Sequence, residues 1–381
     1  MSFPIITDNE AFAAFCGEAA KMPSVGIDTE FVWTKTYYPK LGLLQIAYDR
    51  EHCALVDTLA VTETAPFAAL LASPDTLKIF HEAGSDLPIL HRWCGAVPRN
   101  VADTRFAAGF CGLTAALSLR KLLISQLGVS LRKTETRTDW LMRPLTDAQV
   151  QYAGEDVILL PDLFAKLKAL MQAFENYGFF IEEMKKFEND AYYAELPPDD
   201  CWQHVSRPGY LKFNMQDYAV LQRLAAWREK VAREKDITRN RIVRDSVLSL
   251  AAVKHPYSYD EVAKLEGAAN TPTMRYAHEI AEVVTAAMKL HKDEWPVMRI
   301  PNVDLRSLRQ AADRILSLAR KRAESRKIDA SLLAPRREVE SLATAILSRE
   351  DFSASPLMNG WKHEVLGKSL DDICTDQKGR R

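Results

Sequence analysis

No apolar run in the 381 residues approaches the roughly 20 that a membrane-spanning helix needs. The opening Met1-Ser2-Phe3-Pro4 lacks the basic n-region of a secretory signal. A cytoplasmic protein with no membrane partner is therefore expected. Paired cysteines are missing too. The six cysteines stand singly at 16, 53, 94, 111, 201 and 374 with no CxxC, which fits free thiols in a reducing compartment. His91 and Cys94 have a ligand-like spacing, but no second pair completes a zinc site. Excess positive charge is absent: 50 Lys and Arg face 51 Asp and Glu, a net charge of −1. Any grip on nucleic acid must come from local patches. No GxSxG elbow is present. Gly360…Gly367-Lys368-Ser369 ends like a P-loop, but six residues separate its glycines where the motif requires four, and no strand precedes it. No nucleotide cofactor is expected.

The length calls for two or three domains. Residues 1 to about 168 read as α/β, with strands at Ser24–Phe31, Leu41–Tyr48, Cys53–Val56, Leu77–His81 and near Val101. Short polar connections join the first three as an antiparallel meander. Helical segments such as Ser85–Cys94 separate the later ones, as parallel crossovers require. A mixed five-stranded sheet flanked by helices follows. Thr146-Asp147-Ala148-Gln149, with Pro144 upstream, is a capping box that opens a helix. From about 170 the chain turns helical and highly charged. Within it, Trp227–Ala251 aligns without a gap on Ala319–Ala343, each copy running from a basic helix to an arginine, Arg244 or Arg336, and then Val-x-Ser-Leu-Ala. Two tandem helical domains account for the repeat.

Asp28 and Glu30 end the apolar run Val25-Gly26-Ile27. A strand alternates its side chains, so the two acids share a face and Thr29 is reversed. Tyr152 and Asp156 are four apart on a helix and project together. Asp86 follows the strand Leu77–His81 and also reads as a first-turn helix acid favoured by the macrodipole. Clustered carboxylates repel unless cations lie between them, and hard oxygen ligands suit Mg²⁺ or Mn²⁺.

Gly26-Ile27-Asp28-Thr29-Glu30-Phe31, Pro39-Lys40-Leu41-Gly42-Leu43-Leu44-Gln45, Lys133-Thr134-Glu135-Thr136-Arg137-Thr138-Asp139-Trp140, Arg143-Pro144-Leu145 and Tyr152–Asp156 together resemble the ribonuclease D family, in the tyrosine variant of the DEDD exonuclease superfamily. The helical repeats resemble HRDC domains, the second copy more loosely. The resemblance implies a ribonuclease-H-like exonuclease domain over 1–170, a helical linker over 171–210, and two all-α domains, HRDC at 211–293 and HRDC-like at 300–381. Asp28 and Glu30 match the first motif of the superfamily, Asp86 the second, and Tyr152 with Asp156 the third. Glu155 departs from the small apolar residue usual there; as the i+1 neighbour of Gly154 and the one before Asp156, it is expected to face outward.

The implied chemistry is hydrolysis with two divalent ions, Mg²⁺ or Mn²⁺. Asp28 would bridge both, Glu30 and Asp156 complete one site, and Asp86 act on the other. Tyr152, an ordinary phenol with a pKa near 10, would orient the attacking water. The implied activity is a 3′–5′ exoribonuclease acting as a monomer that releases 5′-mononucleotides from RNA, tRNA precursors with 3′ extensions above all. A DNA-directed exonuclease and a non-catalytic RNA-binding scaffold are the alternatives. Arg132, Lys133 and Arg137 could meet phosphates, as could Arg233, Arg239, Arg241 and Arg244; solvated charged faces read equally well there.

Overall fold

The structure, a computed structural model, describes residues 3–131, 138–297 and 303–379. Arg132, Lys133 and Arg137 lie outside the described residues. Contacts divide the chain into two compact units. The first holds the described residues of Met1–Phe31, Leu41–Tyr193 and Pro301–Arg381; the second holds those of Val32–Lys40 and Ala194–Ile300.

The first unit is built on a mixed sheet. Its strands are β1 (Ile5–Ile6), β2 (Ser24–Val32), β3 (Lys40–Ala47), β4 (Cys53–Asp57), β5 (Leu77–Phe80) and β6 (Val101–Asp103), in the order β1-β4-β3-β2-β5-β6. One strand more than the five expected is present: β1 pairs parallel with β4, Ile5 opposite Leu55. Two residues are too few for any alternation to show in a sequence. β3 and β4 are antiparallel, with Leu44 opposite Val56. In their turn the Asp49 carboxylate accepts from the amides of Glu51 and His52. β5 is parallel to both β2 and β6, as crossover connections require. β4 is buried throughout and β3 is buried beyond Lys40, because helices cover both faces of the sheet.

The helices of this part are α1 (Asn9–Ala19), α2 (Ala65–Ala72), α3 (Ala83–Cys94), α4 (Thr104–Gly109), α5 (Leu119–Leu127), α6 (Asp147–Val157), α7 (Leu160–Ala173) and α8 (Tyr177–Met184). The α6–α7 pair lies close to β2 because position 26 has no side chain. A Cβ on Gly26 would stand 2.7 Å from the carbonyl oxygen of Val157 and 3.0 Å from Cβ of Leu160. One turn back, Gly154 leaves room for the Phe3 ring. Both glycines therefore set how near α6 comes to the sheet.

The second unit contains α9 (Met215–Glu234), α10 (Arg239–Ile242), α11 (Asp245–Lys254), α12 (Tyr259–Ala263) and α13 (Ala277–Ala287). Leu221, Leu224, Val247, Ile280 and Val284 form its core. A second capping box, Asn214 with Asp217, opens α9. The loop after β2 belongs to this unit. The Tyr38 hydroxyl donates to Glu195 (2.8 Å) and its amide to Asp236 (3.1 Å), and the Tyr37 hydroxyl donates to Glu229.

The chain then returns to the first unit with α14 (Leu305–Arg326), α15 (Ala330–Leu333), α16 (Arg336–Ser348), α17 (Gly360–Leu366) and α18 (Lys368–Gly379). α10 and α15 begin 91 residues apart, as do α11 and α16, one residue short of the 92-residue offset of the sequence repeat. Trp361 is the anchor of this return. Its ring lies 5.0 Å from that of Phe110 and 6.0 Å from that of Phe179, and its indole N–H donates to Glu183 (2.9 Å).

Candidate active site

β2 delivers Asp28 and Glu30, and α6 delivers Tyr152 and Asp156. The capping box that starts α6 is formed: the Thr146 hydroxyl accepts from the amide of Gln149 (3.2 Å), and the Gln149 side chain accepts from the amide of Thr146 (2.9 Å). With α6 held against Gly26, carboxylate oxygens of Asp28, Glu30 and Asp156 all lie within 4.8 Å of one another. Asp86 comes from the first turn of α3, buried, and accepts a hydrogen bond from the Thr29 hydroxyl (2.5 Å). All five residues of the motif set thus meet in one place. Glu155 points elsewhere and accepts from Gln151 (2.6 Å).

Thr29 is a residue of the site that the sequence reading passed over. Strand alternation turns it away from its two acidic neighbours, yet Asp86 arrives from α3, after the adjacent strand β5, and is met by that hydroxyl. The Tyr152 hydroxyl donates to Asp156, and its ring lies 6.1 Å from the buried ring of Trp140. Trp140 is fixed in turn by Arg143, which donates to its carbonyl (2.9 Å), to that of Gly42 (2.7 Å) and to both oxygens of Asp57 (2.6 and 2.7 Å). The Arg143 guanidinium holds Asp57 below the ordinary carboxylate range.

Electrostatics make this cluster a cation site. Burial, then repulsion from Asp86, Asp156 and Glu30, pushes Asp28 well above the usual carboxylate range. Burial and the Asp156 charge raise Glu30 to about 9. Asp86 rises to about 7, through burial first and then Asp103 and Glu82. Asp156 rises to about 6, through burial and Glu155. Burial and the Asp156 charge also lift the Tyr152 phenol above its ordinary value. Buried acids packed this closely cannot all ionise without a counter-charge, and an all-oxygen donor set of this kind fits a divalent cation such as Mg²⁺ or Mn²⁺.

The helical arginines divide into two pairs. Arg233 and Arg239 both bind the buried Glu229 and donate to the Tyr37 hydroxyl; Arg233 also pairs with Glu195. Arg241 and Arg244 are exposed, and their side chains make no bond among the described residues. No helix among the described residues is long and apolar enough to cross a membrane.

A mixed sheet with a carboxylate cluster at the end of a central strand, a tyrosine on the facing helix and a helical appendage define a 3′–5′ exonuclease of the DEDD class. A family model described as 3′–5′ exonuclease matches residues 3–172, and one described as HRDC domain matches 217–284. Ribonuclease D of Escherichia coli K12 is 33% identical over 377 residues, 99% of each chain. Ribonuclease D of Desulfotalea psychrophila is 36% identical over 301 residues, 77% of each chain. The crystal structure of Escherichia coli RNase D, described as an exoribonuclease involved in structured RNA processing, superposes with a TM-score of 0.89 at 32% identity, covering 99% of both chains. The chain belongs to the ribonuclease D family and is a 3′–5′ exoribonuclease.

Proposed function

We propose that this protein removes 5′-mononucleotides stepwise from the 3′ ends of tRNA precursors, as a cytoplasmic monomer using two divalent ions, Mg²⁺ or Mn²⁺. The observation that carries this reading is the convergence of Asp28, Glu30 and Asp156 within 4.8 Å, with Asp86 beside them. When bound, the ions supply a water of lowered pKa and stabilise the departing 3′-oxygen. Asp28 would help hold both ions, Glu30 and Asp156 would complete one site, and Asp86 would act on the other. Thr29 fixes the Asp86 carboxylate through its hydroxyl. Tyr152 keeps its proton, since its surroundings raise rather than lower its pKa, and it therefore orients water through its hydroxyl rather than acting as a base. Residues 1–170 form the nuclease module, 171–210 its linker, 211–293 the HRDC module and 300–381 the HRDC-like one. Arg241 and Arg244 contact RNA phosphates; Arg132, Lys133 and Arg137, ahead of α6, are assigned the same part.

Purified protein incubated with a 3′-extended tRNA precursor and with a DNA oligonucleotide, in Mg²⁺, in Mn²⁺ and in EDTA, tests this reading. Metal-dependent release of 5′-mononucleotides from the RNA is expected. Cleavage of the DNA alone, or undiminished cleavage in EDTA, would overturn it.

A further inference from the structure

The segment 110–118, between α4 and α5, has no regular structure, so its backbone groups need partners from elsewhere. One partner comes from far along the chain. Asp329, 214 residues after Ala115, stands at the start of α15 and divides its carboxylate. Oδ1 accepts from the amide of Ser331 (2.8 Å) and caps α15, whereas Oδ2 accepts from the amide of Ala115 (2.7 Å). The Thr114 hydroxyl donates to the same carboxylate, and the Asp329 amide donates to the carbonyl of Gly109 (2.7 Å). Packing holds the two segments together, since Gly109 leaves no room for a Cβ beside Cδ1 of Leu332. A helix cap alone would need only Oδ1.

The other side of Ala115 leads to the carboxylate cluster. Its carbonyl accepts from Nε of Arg105 (2.8 Å), and Nη1 of Arg105 pairs with Glu82. The amides of Arg105 and Ala83 both donate to the buried Asp103 (2.7 and 2.8 Å), which ties the start of α4 to the start of α3. Glu82 stands just before α3 with φ 80°. A residue other than glycine keeps that left-handed conformation only where its surroundings impose it. Asp86 follows one turn later in the same helix. The direction of that carboxylate therefore depends on Glu82 being held, Glu82 on Arg105, and Arg105 on a carbonyl whose own residue Asp329 fixes. All of these residues belong to the first unit.

We propose that Asp329 is a positioning residue of the nuclease site, acting on Asp86 through Ala115, Arg105 and Glu82. The helices after Leu305 then contribute to the geometry of the site itself, besides completing the core around Trp361. The inference rests on the part proposed for Asp86 in cation binding.

Calorimetric titration of the full-length, RNA-free protein with Mg²⁺ reads the site without cleavage. Salt at about 0.15 M screens the effect of remote charges. Asp329→Ser keeps a good cap for α15 but is too short to reach Ala115, and the Kd for Mg²⁺ is expected to rise about fivefold. Arg105→Lys keeps the charge but lacks the fork that holds both partners, and should raise the Kd about tenfold. The double variant should stay within about twofold of Arg105→Lys, because both changes break one chain of contacts. Leu332→Ala loosens the same packing and leaves that chain intact. It should lower the melting temperature and keep the Kd within about twofold of wild type. An unchanged Kd in folded Asp329→Ser, effects that multiply in the double variant, or an equal rise in Leu332→Ala overturns the proposal. A wild type that takes up no Mg²⁺ overturns the metal reading and the proposal with it, whereas normal uptake with unchanged variants overturns the proposal alone.

Discussion

The hydroxyl of Thr29, set between the two acids of β2, donates to Oδ1 of Asp86 at 2.5 Å. If Asp86 presents its other oxygen to a cation, as proposed, it gains orientation from such a partner, as residues behind metal ligands generally provide. Thr29→Val keeps the shape and removes the hydroxyl. Turnover on RNA should fall about 10- to 100-fold with the melting temperature little changed, while Thr29→Ser keeps most of the rate. Full activity in a folded Thr29→Val preparation would show that Asp86 needs no such support.

The carboxylates also tie stability to pH. In the metal-free protein Asp156 stands at about 6, Asp86 at about 7 and Glu30 at about 9. Folded values above the unfolded ones mean that these groups favour folding while protonated and oppose it once ionised. Metal-free stability should therefore decline as the pH rises from about 4, where these carboxyls ionise in the unfolded chain, to about 9. Mg²⁺ should raise the melting temperature more at pH 9 than at pH 6, and calorimetry should record protons released on binding. Asp28→Asn should abolish cleavage yet melt a few degrees higher than wild type in EDTA at pH 9, because one mutually repelling charge is gone. Equal Mg²⁺ effects at both pH values would contradict this account.

Tyr152→Phe separates orientation from ligation. The substitution removes a hydrogen bond to Asp156 and no metal ligand. Metal affinity measured by calorimetry should hold within about threefold, while kcat falls on the order of 100-fold. Metal affinity lost as completely as in Asp28→Asn would make Tyr152 a structural residue.

Trp361 reports on the return of the C-terminal helices. It is buried between Phe110 and Phe179, with its indole N–H on Glu183. Trp361→Ala should cost about 3–5 kcal/mol of stability, read by denaturant unfolding, although the residue is remote in sequence from every nuclease motif. A loss under about 1 kcal/mol would mean that the helices after Leu305 contribute little to this core.

The site was legible because its residues obey local periodicities: two acids at strand spacing, a tyrosine and an acid at helix spacing, and a capping box that fixes where the helix begins. The six cysteines form no disulfide, in line with the absence of CxxC spacing. What escaped depended on contacts without a local signature. Thr29 faces away by strand alternation and still finds Asp86. Gly26 is an ordinary apolar position in sequence, and only the fold shows Val157 pressed against it. The basic run of α9 and α10 looked uniform because a sequence does not show that Glu229, buried at 1% side-chain exposure, takes up two of its arginines.

That distinction gives two opposite outcomes from neighbouring arginines. Arg241 and Arg244 are exposed and carry no partner among the described residues. Replacing both with alanine should leave stability unchanged and weaken tRNA binding. The salt dependence should flatten by about 0.7 log units per lost contact to single-stranded RNA, as filter binding across a salt series would show. Arg239 belongs to the Glu229 cluster instead. Burial alone would raise Glu229, but hydrogen bonds from Arg239 and Tyr37 outweigh it and pull the group down to about 2. A depressed folded value contributes stability that is present above the unfolded value and lost as the pH falls toward 2. Arg239→Ala should therefore lower stability at pH 7 by about 1–2 kcal/mol, the half-exposed arginine being worth less than a fully buried one. The deficit should shrink below pH 4, where the wild type gives up the same interaction. If Arg239→Ala instead behaved like the Arg241/Arg244 pair, with a flatter salt slope and full stability at every pH, the Glu229 cluster would have no structural role.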